Sequence, residues 1–551
     1  MTNFKLLNQN MNNLRLHLHA LATGLLLSVA WMEWGTGIVL FFAFVPLFFL
    51  EQIIIQTETK KTGSQVFYYA AEAFFVWNVI TTYWVGNASL FGVIAAVIVN
   101  TTFFASLFWL YHQTRKTTTP VIALVAFVCY WTGFEYFYLN AEISWPWLTL
   151  GNGFANNIRL VQWYEYTGVL GGTIWVLVSN ILIFRILDRK LSNQRIRQHK
   201  GEFIALVCIV TLPMLFSWCI FSTYKEKVNP RTIVVLQPNI DPYNEKFDGM
   251  SSEEQLSRML TLASKKTDKN TDYVIAPETA LENNIWEEFM EDNESIRRLR
   301  VFLQPYPKTC LIMGMSSHRM YIDPDERSYT ARYNKNRDFW YDSFNASFQL
   351  DSSPFIPIYH KSKLVIGVEK LPYPQYLRFL GSYAINLGGT FGSLGTQEKR
   401  DVFVNPKDST RIGTAICYES IYGEFYSEFV LNGAQLMCII TNDGWWRNTE
   451  GYKQHHNYAK LRAIETRRSI ARSANTGRSS FINQKGEVLQ STQWWTPDVI
   501  KAELNLNDKI TFYTKYGDYL GRFSLYAGIF LGLFAFALPI WHKRRTLFHR
   551  P

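Results

Sequence analysis

The sequence predicts an α-helical integral membrane bundle of about eight transmembrane helices joined to a layered α/β domain. Three observations carry this expectation. Apolar runs are confined to residues 16–223 and 522–541. Between them the chain alternates strand-like and helix-like segments, the pattern of an α/β layered domain. Of 551 residues, 48% are hydrophobic and 16% aromatic but only 18% charged, so part of the chain faces something other than water. The expected division is a transmembrane domain at 1–228, the layered α/β domain at 229–510, and a C-terminal helix with a basic tail at 511–551.

The spans are expected at 16–34, 37–55, 66–85, 89–111, 119–138, 165–184, 203–223 and 522–541. The first follows Lys5 and Arg15 without a small-residue cleavage site, which favours an uncleaved helix over a signal peptide. Pro46 in the second is tolerable where neighbouring helices re-satisfy the freed backbone. Trp145 and Trp147, after the fifth, suit a membrane interface. No paired charges or repeats within the spans suggest a transporter.

The formal net charge of +10 does not imply a nucleic-acid partner. Sixteen basic residues lie in loops 2–3, 4–5 and 6–7 and in the two tails, against Glu58, Asp188 and Glu202 there and Glu51 near the end of the second span, a balance that exceeds the whole excess. The alternate loops are nearly free of Lys and Arg, Arg159 being the main exception. The positive-inside rule then places both termini in the cytoplasm and residues 229–510 on the periplasmic side. The six cysteines have neither CxxC nor Cys/His spacing, so no metal, cofactor or disulfide framework is expected.

Within the soluble interval, TIVVLQPN, DYVIAPE, CLIMGMSS and LMCIITN read as strands, and SFNASFQLD with FIPIYHKSKL as a β pair. Ser251 and Ser252 before Glu253 and Glu254 mark a helix start. ESIRRLRVFL, GEFYSEFVLNGA (ending near Gly433) and the long GYKQHHNYAKLRAIETRRSIA read as helices, and SSFINQKGEVLQ as a hairpin turning at Lys485 and Gly486.

GTAICYES delivers one thiol, Cys417, to a strand end, followed by the polar Tyr418 and Glu419. A reactive thiol needs a carboxylate to take its proton and a fixed cation to favour negative charge. Glu278 ends the run DYVIAPE and Lys361 lies in IYHKSKL, and strand ends of layered α/β domains converge on one edge. The alternative, that Cys417 is a buried small hydrophobe, stays open on these residues alone. His455 and His456 are adjacent and so point in different helical directions, which disfavours a metal site. The arginines at 462, 467, 468, 472 and 478 read as a solvated face with a few internal ion pairs, the alternative being a site for lipid head groups.

A Glu in APET, a Lys in YHKSKL and a Cys in ICYE, in that order, resemble the triad of the nitrilase, or carbon-nitrogen hydrolase, superfamily. With seven spans before and one after, and with FVPLFFLE, WPWLTLGNGF, VVLQPNID and TNDGWW, nearly the whole chain resembles the apolipoprotein N-acyltransferase family. The resemblance implies an α-β-β-α sandwich. It also implies Glu278 as general base, Lys361 beside the oxyanion, Cys417 as nucleophile, and supporting roles for Glu369, Tyr418, Glu419 and Trp445. Two departures stand out: Ile366, Gly367 and Val368 where the family has Pro-Phe-Gly before the Glu, and Phe247 where many members carry Trp.

The implied reaction moves an acyl chain from a phospholipid, through a Cys417 thioester, to the N-terminal amine of a diacylated apolipoprotein. The competing readings are a membrane-anchored amidase with water as acceptor and a binding protein without activity. The stretch from Leu371 to Phe403, rich in Tyr, Phe, Leu and Gly, is expected to form an apolar portal for acyl chains, with Leu380 and Phe391 on it.

Overall fold

The computed structural model describes residues 2–56, 61–191, 200–247, 249–370, 373 and 394–548. Most of the expected portal, including Leu380 and Phe391, lies outside them. The chain divides into two compact units, residues 1–86 with 90–222 and 518–551, and residues 87–89 with 223–517.

The first unit is helical: α1 (Thr2–Val29), α2 (Val45–Ile55), α3 (Thr62–Thr82), α4 (Leu90–Thr117), α5 (Pro120–Asn140), α6 (Tyr164–Leu191) and α7 (Lys200–Thr223). The C-terminal Tyr519–Phe548 helix completes it. Among the described residues six segments are long and apolar enough to cross a membrane, and α1 and α3 are not among them. Both carry polar side chains, and His17 Nδ1 of α1 stands 2.7 Å from Glu72 Oε2 of α3.

The second expected span is not one continuous helix. A 3-10 turn at Gly37–Phe42 precedes α2, and Pro46 sits in the first turn of α2, where its missing N–H costs no hydrogen bond. The expectation of no paired charge in the spans also fails. Glu51 of α2 is fully buried, 2.8 Å from His112 Nδ1 and paired with Arg115, because in a medium without water a carboxylate must find its partners within the bundle. Interlocked rings pack the interior, with Phe44, Phe74 and Phe104 all against Trp131.

In the second unit β1 (Pro230–Gln237), β2 (Tyr273–Ile275), β3 (Leu281–Trp286), β4 (Cys310–Tyr321), β5 (Arg332–Asn334), β6 (Phe339–Leu350) and β7 (Ile358–His360) belong to one sheet. A second sheet holds β8 (Val402–Val404), β9 (Arg411–Ile416), β10 (Leu436–Thr441), β11 (Ile470–Ala474), β12 (Ser480–Ile482) and β13 (Val488–Ser491) in the order β13-β12-β11-β10-β9-β8. β14 (Asp498–Asn505) returns to the first sheet, whose order is β14-β1-β2-β4-β6-β5, with β3 on β4 and β7 on β6.

Helix α8 (Ser252–Ser264) starts at a capping box in which Ser251 and Glu254 satisfy each other's backbone donors. With α9 (Glu294–Leu303) it buries Leu256, Met259, Ile296 and Leu299 against Val234, Val274, Leu311 and Phe348 of the first sheet. Helices α10 (Gly423–Leu431) and α11 (Glu450–Thr466) belong to the half of the domain built on the second sheet. The short α12 (Phe512–Tyr516) leads into α13 (Tyr519–Phe548).

Helix α11 stops earlier than its sequence pattern suggests. Arg467 adopts the left-handed conformation at its C-cap, and Ile470–Ala474 turns into strand β11 between β10 and β12. The arginine run is a further correction. Arg462, Arg467, Arg468 and Arg472 are at most 1% exposed. Their guanidinium groups satisfy backbone carbonyls that loops leave open, Arg468 donating to Ala434 O at 2.7 Å and Lys509 O at 2.8 Å.

Candidate active site

Three strands of small and β-branched residues end at one place. The chain past β2 stays on β4, since Ala276 N donates to Ile312 O and Gly314 N to Pro277 O. Gly314 is required there: a Cβ would lie 2.6 Å from Thr279 N and 2.7 Å from Glu278 Cα. Glu278 thus arrives at the sheet edge, followed by Thr279 with φ +45°. Just past β7, Lys361 N donates to Asn345 O of β6 at 2.8 Å. Past β9, which lies between β10 and β8, comes Cys417.

Lys361 Nζ stands 2.9 Å from Glu278 Oε1 and 2.9 Å from Glu369 Oε1, and Lys361 is 1% exposed. Asn345 Nδ2 donates to the same two carboxylate oxygens at 2.8 Å each, and Asn442 N to Glu278 Oε2 at 3.1 Å. Burial pushes the Glu278 carboxyl up, but the Lys361 ammonium, the Asn345 amide and Lys246 outweigh it and hold it below the ordinary range. Burial pushes Lys361 down, and the charges of Glu278 and Glu369 reverse this, leaving it well above the ordinary lysine value. Cys417 feels both partners: burial and then the Glu278 charge push its thiol up, and Lys361 opposes them.

Glu369 is presented by a tight turn in which its N–H donates to Val365 O at 2.8 Å and its Oε2 accepts from Val365 N at 2.7 Å. Gly367 takes φ +80° in that turn, so the Ile-Gly-Val departure still forms a compact presentation of the carboxylate.

Glu419 is a fastener between elements. Its Oε1 accepts from Tyr359 Oη at 2.8 Å and Ser362 N at 2.6 Å, its Oε2 from Ile416 N at 2.8 Å, so one side chain ties the segment around Lys361 to the strand end before Cys417. Tyr418 is buried, edge-on to Tyr422 with ring centroids 5.3 Å apart. Trp445 lies parallel to Phe247 at 6.0 Å, with Tyr243 edge-on at 5.5 Å. The structure therefore gathers Glu278, Lys361, Glu369 and Cys417, puts Glu419 behind them, and makes Trp445 and Phe247 a separate aromatic pair.

Sequence reasoning missed Asn345, Asn442, Gly314 and Lys246. Lys246 is 3% exposed, and its Nζ lies 2.5 Å from Thr279 Oγ1 and 3.5 Å from Glu282 Oε1. A lone lysine beside the aromatic Phe247 was the available signal, since a buried lysine is rare without a partner. Among the described residues no group of three or more His, Cys, Asp or Glu side chains could hold a metal ion.

The chain matches two family models, Carbon-nitrogen hydrolase over residues 234–512 and Apolipoprotein N-acyltransferase N-terminal domain over residues 23–182. It is 30% identical to an apolipoprotein N-acyltransferase of Chlorobaculum tepidum over 90% of this chain and 92% of that one. The chain belongs to the apolipoprotein N-acyltransferase family. A Geobacter metallireducens member is 24% identical over 91% of this chain and 92% of its own. A solved nitrilase-superfamily protein of Saccharomyces cerevisiae covers 51% of this chain and 92% of its own at 14% identity, with a TM-score of 0.35. Membership in this family, with six segments among the described residues long and apolar enough to cross a membrane, makes the chain a multi-pass membrane acyltransferase whose second unit is a nitrilase-like α/β domain.

Proposed function

We propose that the chain N-acylates apolipoproteins, the last step of bacterial lipoprotein maturation, by a two-step transfer through a thioester on Cys417. The observation that carries this reading is the buried pair of Glu278 and Lys361, 2.9 Å apart, whose segment Glu419 ties to the strand end just before Cys417. In the first step Cys417 Sγ attacks the ester carbonyl of a phospholipid while its proton passes to Glu278. The carbonyl oxygen takes the negative charge next to Lys361. Collapse expels the lysophospholipid alkoxide, which takes the proton back from Glu278. In the second step the α-amine of the diacylglyceryl-cysteine attacks the thioester, Glu278 accepts its proton, and the departing thiolate takes that proton back from Glu278, restoring the thiol.

Magnitudes favour a concerted first step. The ordinary thiol and carboxyl values, 9.0 and 4.5, already make proton transfer uphill by about 6 kcal/mol, and the site widens that gap from both sides. A free thiolate therefore does not accumulate; the proton moves as charge develops on the oxygen beside Lys361. Glu369 and Asn345 hold Lys361 in place for this.

We assign eight spans, the six apolar segments plus α1 and α3, with termini in the cytoplasm and residues 229–510 in the periplasm, between domains at 1–228 and 511–551. The basic loops support that orientation.

The test supplies purified protein with phospholipid and a diacylated lipopeptide. N-acylated peptide in step with lysophospholipid, and little free fatty acid, is expected. Fatty acid released regardless of the peptide would make the chain a hydrolase instead.

A further inference from the structure

A buried polar chain behind Cys417 takes no part in the steps above. Asp443, His455 and Arg472 are 0% exposed and Ser420 2%. Arg472 Nη2 donates to Asp443 Oδ2 at 2.7 Å, and Thr441 Oγ1 donates to Oδ1 at 2.8 Å. Burial pushes the Asp443 carboxyl up, but Arg472 and His455 outweigh it and hold it far below the ordinary range. His455 Nδ1 is held between Asp443 Oδ1 at 2.9 Å and Arg472 Nη2 at 3.1 Å.

This orients the imidazole. Its Nε2 stands 3.0 Å from Ser420 Oγ and 3.2 Å from the Cys417 carbonyl oxygen, and Ser420 Oγ donates to that same carbonyl at 2.7 Å. Trp446 closes edge-on over the ring at 5.5 Å. The carbonyl so held belongs to a residue at φ +53°. A left-handed non-glycine residue costs about 1–3 kcal/mol and persists only where its surroundings over-determine it.

Asp, His and Ser in this order also suggest a second hydrolytic triad. The Ser420 hydroxyl is buried and spends its proton on the Cys417 carbonyl, which leaves no accessible nucleophile.

We propose that Asp443, His455 and Ser420 form a positioning device that clamps the Cys417 carbonyl, fixes its left-handed turn, and thereby aims Sγ from the end of β9 at Glu278 and Lys361. This deepens the reading of Cys417 as nucleophile and rests on it. Misplacing a reacting atom by about 1 Å can cost on the order of 10²-fold, so the clamp acts on rate and not on lipid affinity.

The experiment follows single-turnover acylation of Cys417 by intact mass, with the full-length protein and a dioleoyl phospholipid in mixed micelles. His455→Gln is expected to slow acylation about 10²-fold and Ser420→Ala about tenfold, with half-saturating phospholipid within about twofold of wild type. Because both side chains converge on one carbonyl, the double variant should lose less than the product of the single losses. Should His455→Gln fail to fold, Ser420→Ala, which removes a single oxygen atom, carries the test alone. Wild-type acylation rates in the variants, a loss seen only in half-saturating phospholipid, or losses that multiply would overturn the clamp. A wild-type protein that gains no acyl group on Cys417 would overturn the nucleophile assignment and the clamp with it.

Discussion

Glu278 and Lys361 meet at 2.9 Å, both nearly excluded from solvent, although 83 residues separate them in the chain. Such a pair is costly to break from one side. Lys361→Met leaves the carboxylates of Glu278 and Glu369 facing each other without their cation and is expected to destabilise the domain by about 3–5 kcal/mol. Denaturant unfolding of the two proteins measures it, and a difference below about 1 kcal/mol would mean the ammonium is replaceable by an apolar side chain.

The same pair sets a pH window. Glu278 is held below its ordinary value of 4.5, so its contribution is fully present above 4.5 and is lost as pH falls through the depressed folded value. Lys361 is held above its ordinary 10.5, so its contribution is fully present below 10.5 and is lost as pH rises through the raised folded value. The pair's contribution to unfolding stability is therefore expected to be flat between those limits. A double-mutant cycle with Glu278→Gln and Lys361→Met, repeated across pH, would contradict this if the coupling changed near neutrality.

Gly314→Ala tests how Glu278 is placed. The added Cβ meets the backbone of residues 277–279, which cannot give way as a flexible side chain would. We expect a stability loss of about 1–3 kcal/mol and slower Cys417 acylation at unchanged micelle binding. Full activity would mean that the strand edge is softer than its packing implies.

Lys246 contributes positive charge to Glu278 from the opposite side to Lys361 in sequence, tethered to Thr279 and facing Glu282, whose carboxyl burial pushes up to about 7. Removing that cation raises the Glu278 value. The acid limb of kcat/KM for acylation should thus move to higher pH in Lys246→Met and return in Lys246→Arg, as rate profiles against pH can read. An unmoved limb would leave Lys246 a packing residue only.

Much of this was legible because it rests on local chemistry. Apolar runs announce helices in lipid, and β-branched strands ending in Glu278, Lys361 and Cys417 announce a shared edge. What stayed hidden depends on tertiary partners. The arginines from 462 to 472 look solvated in sequence because nothing local reveals the carbonyls they satisfy. Arg467 ends α11 in a conformation that arginine rarely adopts, so the helical pattern runs on past the true end. β14 was missed because its alternating charges read as loop until β1 pairs with it. Asn345 sits mid-strand, where a polar residue gives no sign of which carboxylates it will bridge.

The measurement that bears most directly on the thioester is the intact mass of the purified protein after incubation with phospholipid and no acceptor, beside Cys417→Ala. A gain of one acyl chain is expected in the wild type alone, discharged when a diacylated lipopeptide is added. An acyl adduct in both proteins, or none in a folded wild type, would contradict Cys417 as the acyl carrier.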